Sequence, residues 1–212
     1  IAEKGFSPSA LTSYIRNPID FYFQKILRIS EVEEVEENIA LNTLGTIIHG
    51  TLEALYTPYI GKFLSETAIL GCFKLLDDEV LKQFKLVYKE GEIKKGRNLL
   101  AFEVAKRNVS NFFFLVQESI KNGDAIKILA LEETFARQLT HPNLPFPVLI
   151  KGNVDRIEER NGIIRIIDYK TGKVEKASVT LKTWEALTED IKTDKIIQVL
   201  AYAYMYEQEA KD

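Results

Sequence analysis

The dipeptide Asn161-Gly162 constrains this chain more than any other feature. It separates two runs rich in β-branched residues, 148–158 and 163–169. Asn-Gly is the preferred centre of a two-residue type I′ turn, because both positions need positive φ. Such a turn fixes the register. Arg160 falls opposite Ile163, and counting back along the ladder puts Asp155 opposite Asp168. Side chains alternate faces along a strand, so Asp168 and Lys170 share a face, and Asp155 joins them from across the ladder. Directly opposed side chains have Cβ atoms about 5 Å apart, and like charges there repel. Two carboxylates so placed need positive charge between them. Lys170 supplies part of it, and a hard divalent cation that prefers oxygen ligands supplies more. Such an ion can polarise a phosphoryl oxygen and make hydroxide from bound water near neutral pH, and the lysine could neutralise developing charge or orient the water. A slipped register would instead leave two aspartates that never meet, at a solvent-facing hairpin end.

The hairpin, about residues 148–170, sits late in a chain that otherwise begins with helices. Ser7 reads as an N-cap and Pro8 as the first helical residue. Asn17-Pro18 interrupts that helix, because a residue before proline avoids αR. A second short helix carries Phe21, Phe23, Ile26 and Leu27, and the acidic run Glu31 to Glu37 reads as solvated. Apolar residues at helical spacing predict helices over 43–56, 65–88, 98–121 and 194–207. Period-two patterns predict strands over 126–133, 148–158 and 163–169. This order indicates one α/β domain over residues 1–212, with a helical block at about 60–123. The chain starts at Ile1 rather than Met, so it reads as a processed chain or an excised piece.

With 46% hydrophobic and 28% charged residues, wholesale disorder is excluded. The single cysteine, Cys72, excludes a disulfide framework and any four-cysteine zinc or iron–sulfur site within the chain, and favours a reducing, cytoplasmic setting. No apolar run approaches the ~18 residues that span a bilayer, so no membrane contact is expected. The net charge of −3 gives no global attraction to nucleic acid. A local patch must supply any such binding. Between Lys82 and Arg107 stand eight basic and three acidic residues, which read equally well as a DNA-guiding edge or a solvated connection.

Asp155 within Gly-Asn-Val-Asp-Arg-Ile-Glu, followed by Ile-Ile-Asp-Tyr-Lys-Thr-Gly from Ile166 to Gly172, resembles the RecB-type branch of the PD-(D/E)XK nucleases. The resemblance continues on both sides. Leu44-Gly45-Thr46-Ile47-Ile48-His49 is similar to that family's early helix with its metal-binding histidine. Gln198-Val199-Leu200-Ala201-Tyr202 is similar to its late Gln-x-x-x-Tyr helix. Phe6-Ser7-Pro8-Ser9-Ala10-Leu11 looks like the start of the nuclease domain in AddB-type subunits of bacterial helicase–nuclease complexes.

This resemblance implies a restriction-endonuclease-like α/β fold, a mixed central β-sheet flanked by helices with a helical insertion. It implies a metal-dependent DNA nuclease, an exonuclease of AddB-like repair type with a helicase partner. His49, Asp155, Asp168 and the Tyr169 carbonyl would bind Mg²⁺ or Mn²⁺, with Asp155, Asp168 and Lys170 catalytic. Gln198 and Tyr202 would face DNA. The alternatives are a stand-alone RecB-like or CRISPR-associated exonuclease, or a catalytically silent DNA-binding relative. Relatives of the AddB and CRISPR type often carry an iron–sulfur cluster whose first cysteine lies where this chain has Arg16-Asn17-Pro18. No cluster is therefore expected. Anaerobically purified protein should contain no stoichiometric iron or sulfide by elemental and colorimetric analysis, because one thiol cannot replace several thiolate ligands.

The remaining candidates carry weaker signals. His49 lies off the apolar stripe of its helix, on the side of Gly45, whose missing side chain clears space. Alone, it reads as a hydrogen-bonded structural histidine; in the family order it reads as a ligand. Glu53, one turn later, is an orienting carboxylate or an exposed charge. The helix over 194–207 is apolar nearly all round, as buried helices are, so Gln198 must find partners in the core or at a cleft wall. Glu133 ends the strand predicted before Val148, and the family resemblance implies that an acidic residue near there assists metal binding. Cys72 reads as a small buried hydrophobe and His141, in a Pro-rich loop, as exposed.

Overall fold

The structure, a computed structural model, describes residues 4–29, 40–88, 95–189 and 193–207. The acidic run from Glu31 to Glu37, and part of the basic connection after Lys82, lie outside the described residues. The helices are α1 (Pro8–Arg16), α2 (Pro18–Phe21), α3 (Leu41–Tyr56), α4 (Glu66–Val87), α5 (Gly96–Lys121), α6 (Ala186–Glu189) and α7 (Asp194–Tyr206). The strands are β1 (Ile126–Leu139), β2 (Val148–Arg160) and β3 (Ile163–Ile167), in sheet order β1-β2-β3. Among the described residues, no helix is long and apolar enough to cross a membrane. Isolated parallel bridges, Phe6 to Ile150 and Ile60 to Ile128, add to the antiparallel pairing of β2 with β3. The result is a mixed α/β architecture of the restriction-endonuclease-like kind.

The chain divides into two compact units. One comprises residues 34–132 and 155–171. Here α3, α4 and α5 pack on one another. The α3 stripe predicted from sequence, Leu44, Ile47, Ile48, Leu52 and Leu55, is buried with Ile69, Val80, Phe84, Val109, Phe113, Ile126 and Ile128. Aromatic edges lock this core: Tyr56 and Phe73 each meet Phe113 edge-on, with centroids 5.5 and 5.3 Å away. At Gly50 the missing side chain leaves room for the Gln83 amide, the mobile end of a long side chain on α4. A Cβ there would lie 2.6 Å from Gln83 Oε1 on α4. At Gly45, by contrast, the nearest atom would be Thr171 Oγ1 at 3.8 Å, an ordinary contact.

The hairpin register is the one the Asn-Gly turn dictates. Arg160 pairs with Ile163 and Arg156 with Ile167. Asn161 and Gly162 both have positive φ, 54° and 80°. The ladder stops there, one pair short of Asp155 and Asp168, because Asp155 replaces the next rung with its side chain: Oδ2 accepts the Tyr169 N–H at 2.6 Å. The last strand therefore ends at Ile167, not Tyr169. β2 is covered on both faces, so Val154 through Glu158 are all buried.

The other unit comprises residues 1–33, 133–154 and 172–212. Ser7 Oγ caps α1 by accepting from Ala10 N, and Asn17 Oδ1 caps α2 after the predicted break. A single π-helical turn, Tyr22–Ile26, follows. Helix α7 packs on α1. Gly152 on β2 permits this, since a Cβ there would lie 3.1–3.2 Å from Met205, Tyr202 and Pro8. The helix is not buried all round as its composition suggests. It buries Ile196, Tyr202 and Met205, but Val199 and Leu200 are exposed.

β1 extends six residues beyond the strand expected from sequence. Its buried positions run Ile126, Ile128 and Ala130, and the alternation changes phase after Glu132, whose φ is +45°. That residue interrupts the period-two pattern that sequence reading relies on.

Candidate active site

Three segments of the first unit converge: the middle of α3, the kink of β1, and the end of the hairpin. Helix α3 presents His49. Its Nδ1 lies 3.4 Å from Glu132 Oε1 and 3.5 Å from Asp155 Oδ1, and its Nε2 meets the Tyr169 carbonyl at 3.1 Å. Tyr169 is the keystone of this arrangement. Its N–H binds Asp155, its carbonyl takes His49, and its buried ring packs against Phe112 at 5.0 Å and the edge of His49 at 5.8 Å. On either side of it, Asp168 and Lys170 close on each other, Nζ to Oδ2, at 2.5 Å. Each aspartate thus has its own cation: His49 for Asp155 and Lys170 for Asp168.

The electrostatics follow from this pairing. Hydrogen bonding to Asp155, then to Glu132, lifts the His49 pKa from its ordinary 6.5 to about 10, against the opposing effect of burial. Without a metal, His49 is an imidazolium, and its extra proton stands between the two carboxylates. A cation acid whose pKa rises on folding adds stability that is complete below the unfolded value and lost as pH climbs through the folded one. The metal-free protein should therefore lose thermal stability between pH 7 and about 10. A His49→Gln variant should show a flatter profile in melts recorded in EDTA; identical profiles would contradict the pairing. Asp168 is shifted upward, by burial first and by Asp155, with Lys170 and His49 opposing.

The donor set fits a divalent cation. One ring nitrogen and oxygens of Glu132 and Asp155 lie within 4.8 Å of one another. Ligands at right angles on an ion at about 2.1 Å stand about 3 Å apart, so small movements would close this set around one. Metal binding must displace the His49 proton, while Nε2–H on the Tyr169 carbonyl fixes the imidazole tautomer. Beside the cluster lies a cavity of about 480 Å³, lined by Asn42, Gly45, His49, Glu53, Gln83 and Glu132.

The predicted residues fall as follows. His49, Asp155, Asp168, Tyr169 and Lys170 come together in one unit. Glu132 joins them, and sequence reading chose its neighbour Glu133, which is exposed. Strand phase was the usable signal, because Ile126, Ile128 and Ala130 put even-numbered residues on the buried face. Glu53 is exposed at the cavity rim. Gln198 and Tyr202 belong to the other unit, where Gln198 Nε2 donates to the Tyr202 hydroxyl at 2.8 Å. Cys72 is buried, its thiol near the Leu55 carbonyl and its pKa pushed up to about 11 by burial. His141 is exposed.

A mixed α/β fold that gathers an imidazole, carboxylates and a lysine at one hairpin end defines a class of proteins able to hold a divalent cation beside a fixed ammonium group. The model of the PD-(D/E)XK nuclease superfamily matches residues 5–212, and the chain belongs to that superfamily. Its members are nucleases that use divalent metals. No curated protein matches the sequence.

Proposed function

We propose that this chain hydrolyses DNA phosphodiester bonds as an exonuclease, and that it is the nuclease domain of an AddB-like repair subunit. The reading rests chiefly on one observation: His49, Glu132 and Asp155 offer metal donors at the hairpin end where Asp168 and Lys170 are paired. His49, Asp155 and Asp168 hold Mg²⁺ or Mn²⁺, with Glu132 as a further donor. The bound ion would polarise the scissile phosphate and supply hydroxide near neutral pH.

The protein groups do the positioning. Asp155 is held by the Tyr169 N–H and His49 by the Tyr169 carbonyl, which has a second lone pair free to face a cation. Lys170 swings from Asp168 toward the phosphate, where its ammonium offsets the growing negative charge. Asp168 is raised toward the protonated form and is most easily ionised when positive charge is near. Gln198, half-buried and anchored by its amide to the hydroxyl of the buried Tyr202, is the member of the Gln-x-x-x-Tyr pair that would contact the incoming strand. A helicase partner delivers that strand in the cytoplasm, since a chain of net charge −3 has little global pull on DNA. In the described part of the basic stretch, Lys82 and Lys106 are already paired with Glu79 and Asp77.

End-labelled linear DNA and closed circular DNA, each with Mg²⁺ or Mn²⁺, test this reading. We expect shortening of linear DNA only. Cleavage of the circle would contradict the exonuclease assignment. Rapid, processive digestion by the lone chain at physiological salt would favour the alternative, a stand-alone RecB-like or CRISPR-associated exonuclease.

A further inference from the structure

The second unit contains a pocket that this chemistry does not use. It encloses about 200 Å³ and is lined by Lys4, Phe6, Phe21, Lys25, Arg28 and Lys151 among others. Its four charged side chains are all cationic, and none forms an ion pair among the described residues. They come from three distant stretches of sequence, and the backbone brings them together. Phe6 N donates to the Leu149 carbonyl at 2.7 Å, and Lys151 N to the Phe6 carbonyl at 3.0 Å, stitching the N-terminal segment to β2.

Gly5 then lets Lys151 lie close. Its φ is +87°, and a Cβ would sit 2.9 Å from both Cγ and Cδ of Lys151. On the far side, Lys25 belongs to the π turn and Arg28 has a φ of +57°. Isolated π turns and positive-φ arginines are unfavourable backbone choices that concentrate at functional positions. The wall is aromatic. Phe6 stacks on Phe21 at 6.3 Å and 15°, and the same π turn exposes Tyr22 and Phe23 at 50% and 45%.

We infer that this pocket binds a phosphate of a single nucleic-acid strand, with Tyr22 and Phe23 stacking on the bases beside it. The inference rests on the nuclease reading only for the identity of the strand as DNA. A space of about 200 Å³ is smaller than the ~300 Å³ lower bound of ordinary small-molecule pockets. It suits one phosphodiester group rather than a whole nucleotide. Cations around a small opening beside exposed aromatic rings are the working parts of single-strand recognition, in which charge tracks the backbone and rings take the bases. A duplex keeps its bases stacked on each other and has no use for the rings. An acidic protein partner would satisfy the cations equally but not the exposed rings.

The test uses the whole chain with EDTA and a fluorescent fifteen-residue oligothymidylate, read by anisotropy across a salt series. Lys25→Glu/Arg28→Glu and Lys151→Glu should each bind at least about tenfold more weakly. Their log–log salt slopes should be shallower by about 0.7 for each phosphate that is no longer neutralised. The milder Lys25→Gln/Arg28→Gln variant should show the same trend, which guards against misfolding of the charge-reversed proteins. Tyr22→Ala should weaken binding with the salt slope unchanged. Unaltered affinity and slope in all the charge variants would overturn the inference, as would a polyglutamate peptide that competes as well as the oligonucleotide. Hydrolysis of bis(p-nitrophenyl) phosphate with Mn²⁺, which needs no strand, should be the same in every variant. If the wild type hydrolyses neither this diester nor DNA, the nuclease reading fails, while the anisotropy still decides the pocket.

Discussion

Replacing Lys170 or Asp168 with alanine is expected to lower DNA cleavage by at least about 10²–10³-fold, the usual cost of removing one group that stabilises transition-state charge. Neither protein should unfold. Lys170 is exposed and pairs with Asp168 at 2.5 Å. Asp168 is a half-buried carboxyl whose pKa is raised, so its charged form is disfavoured in the folded state. By linkage, removing such a group leaves metal-free stability at neutral pH unchanged or slightly higher. The Asp168→Ala protein should therefore melt in EDTA at or a few degrees above the wild type while being inactive. A variant that forfeits both fold and activity would mean that Asp168 is structural. Full activity in either alanine variant, with contaminating nuclease excluded, would remove these residues from the site.

The second large effect is on stability. Arg156 and Glu158 are almost wholly buried and form an ion pair, and the Arg156 guanidinium lies 4.7 Å from the Tyr56 ring centroid. Glu158 also takes Arg160 at 2.8 Å. Breaking a buried pair by deleting one partner costs about 3–5 kcal/mol, because the other charge stays desolvated. Arg160 still serves Glu158 after Arg156→Ala, so the lower end applies, about 3 kcal/mol. For a chain of this size that lowers the melting temperature by roughly 6–12 °C. Arg156 also touches the side chain of Tyr169, which holds both Asp155 and His49. Metal affinity should therefore fall with stability. A double replacement with apolar residues, Arg156→Met/Glu158→Leu, should recover most of that stability, and thermal melts of the three proteins check both statements. A melting temperature unchanged in Arg156→Ala would show that the pair contributes nothing.

Much of this was legible in the residues because local rules dominate there. Asn161-Gly162 set the hairpin register, and Ser7-Pro8 and Asn17-Pro18 set the first two helix starts, since turn and cap chemistry act over three or four residues. The α3 stripe was legible from its period. Other features depended on distant partners. The ladder ended early because the Asp155 carboxylate took the Tyr169 N–H, a competition between side chain and backbone that no periodicity records. Glu132 was legible in strand phase, since Ile126, Ile128 and Ala130 turn even positions inward. Composition alone does not separate it from Glu133, and the alternation breaks just beyond it, at its own positive φ. The exposed side of α7 was not foreseen, because composition gives a helix's polarity and not its neighbours. The cationic pocket was invisible for a similar reason. Its lysines and arginine are scattered over 147 positions, from Lys4 to Lys151, whereas the basic cluster that is visible in sequence is partly neutralised by adjacent acids.

The most direct test of the account is the cation requirement of the purified chain on a fluorogenic single-stranded oligonucleotide, read in parallel with an identically prepared Asp155→Asn protein. Asp155 carries the central claim, because it faces both His49 Nδ1 and the Tyr169 N–H. We predict cleavage with Mg²⁺ or Mn²⁺, none in EDTA, and recovery when excess cation is returned, with Asp155→Asn silent throughout. Cleavage that persists in EDTA, or that the Asp155→Asn protein retains, would contradict it.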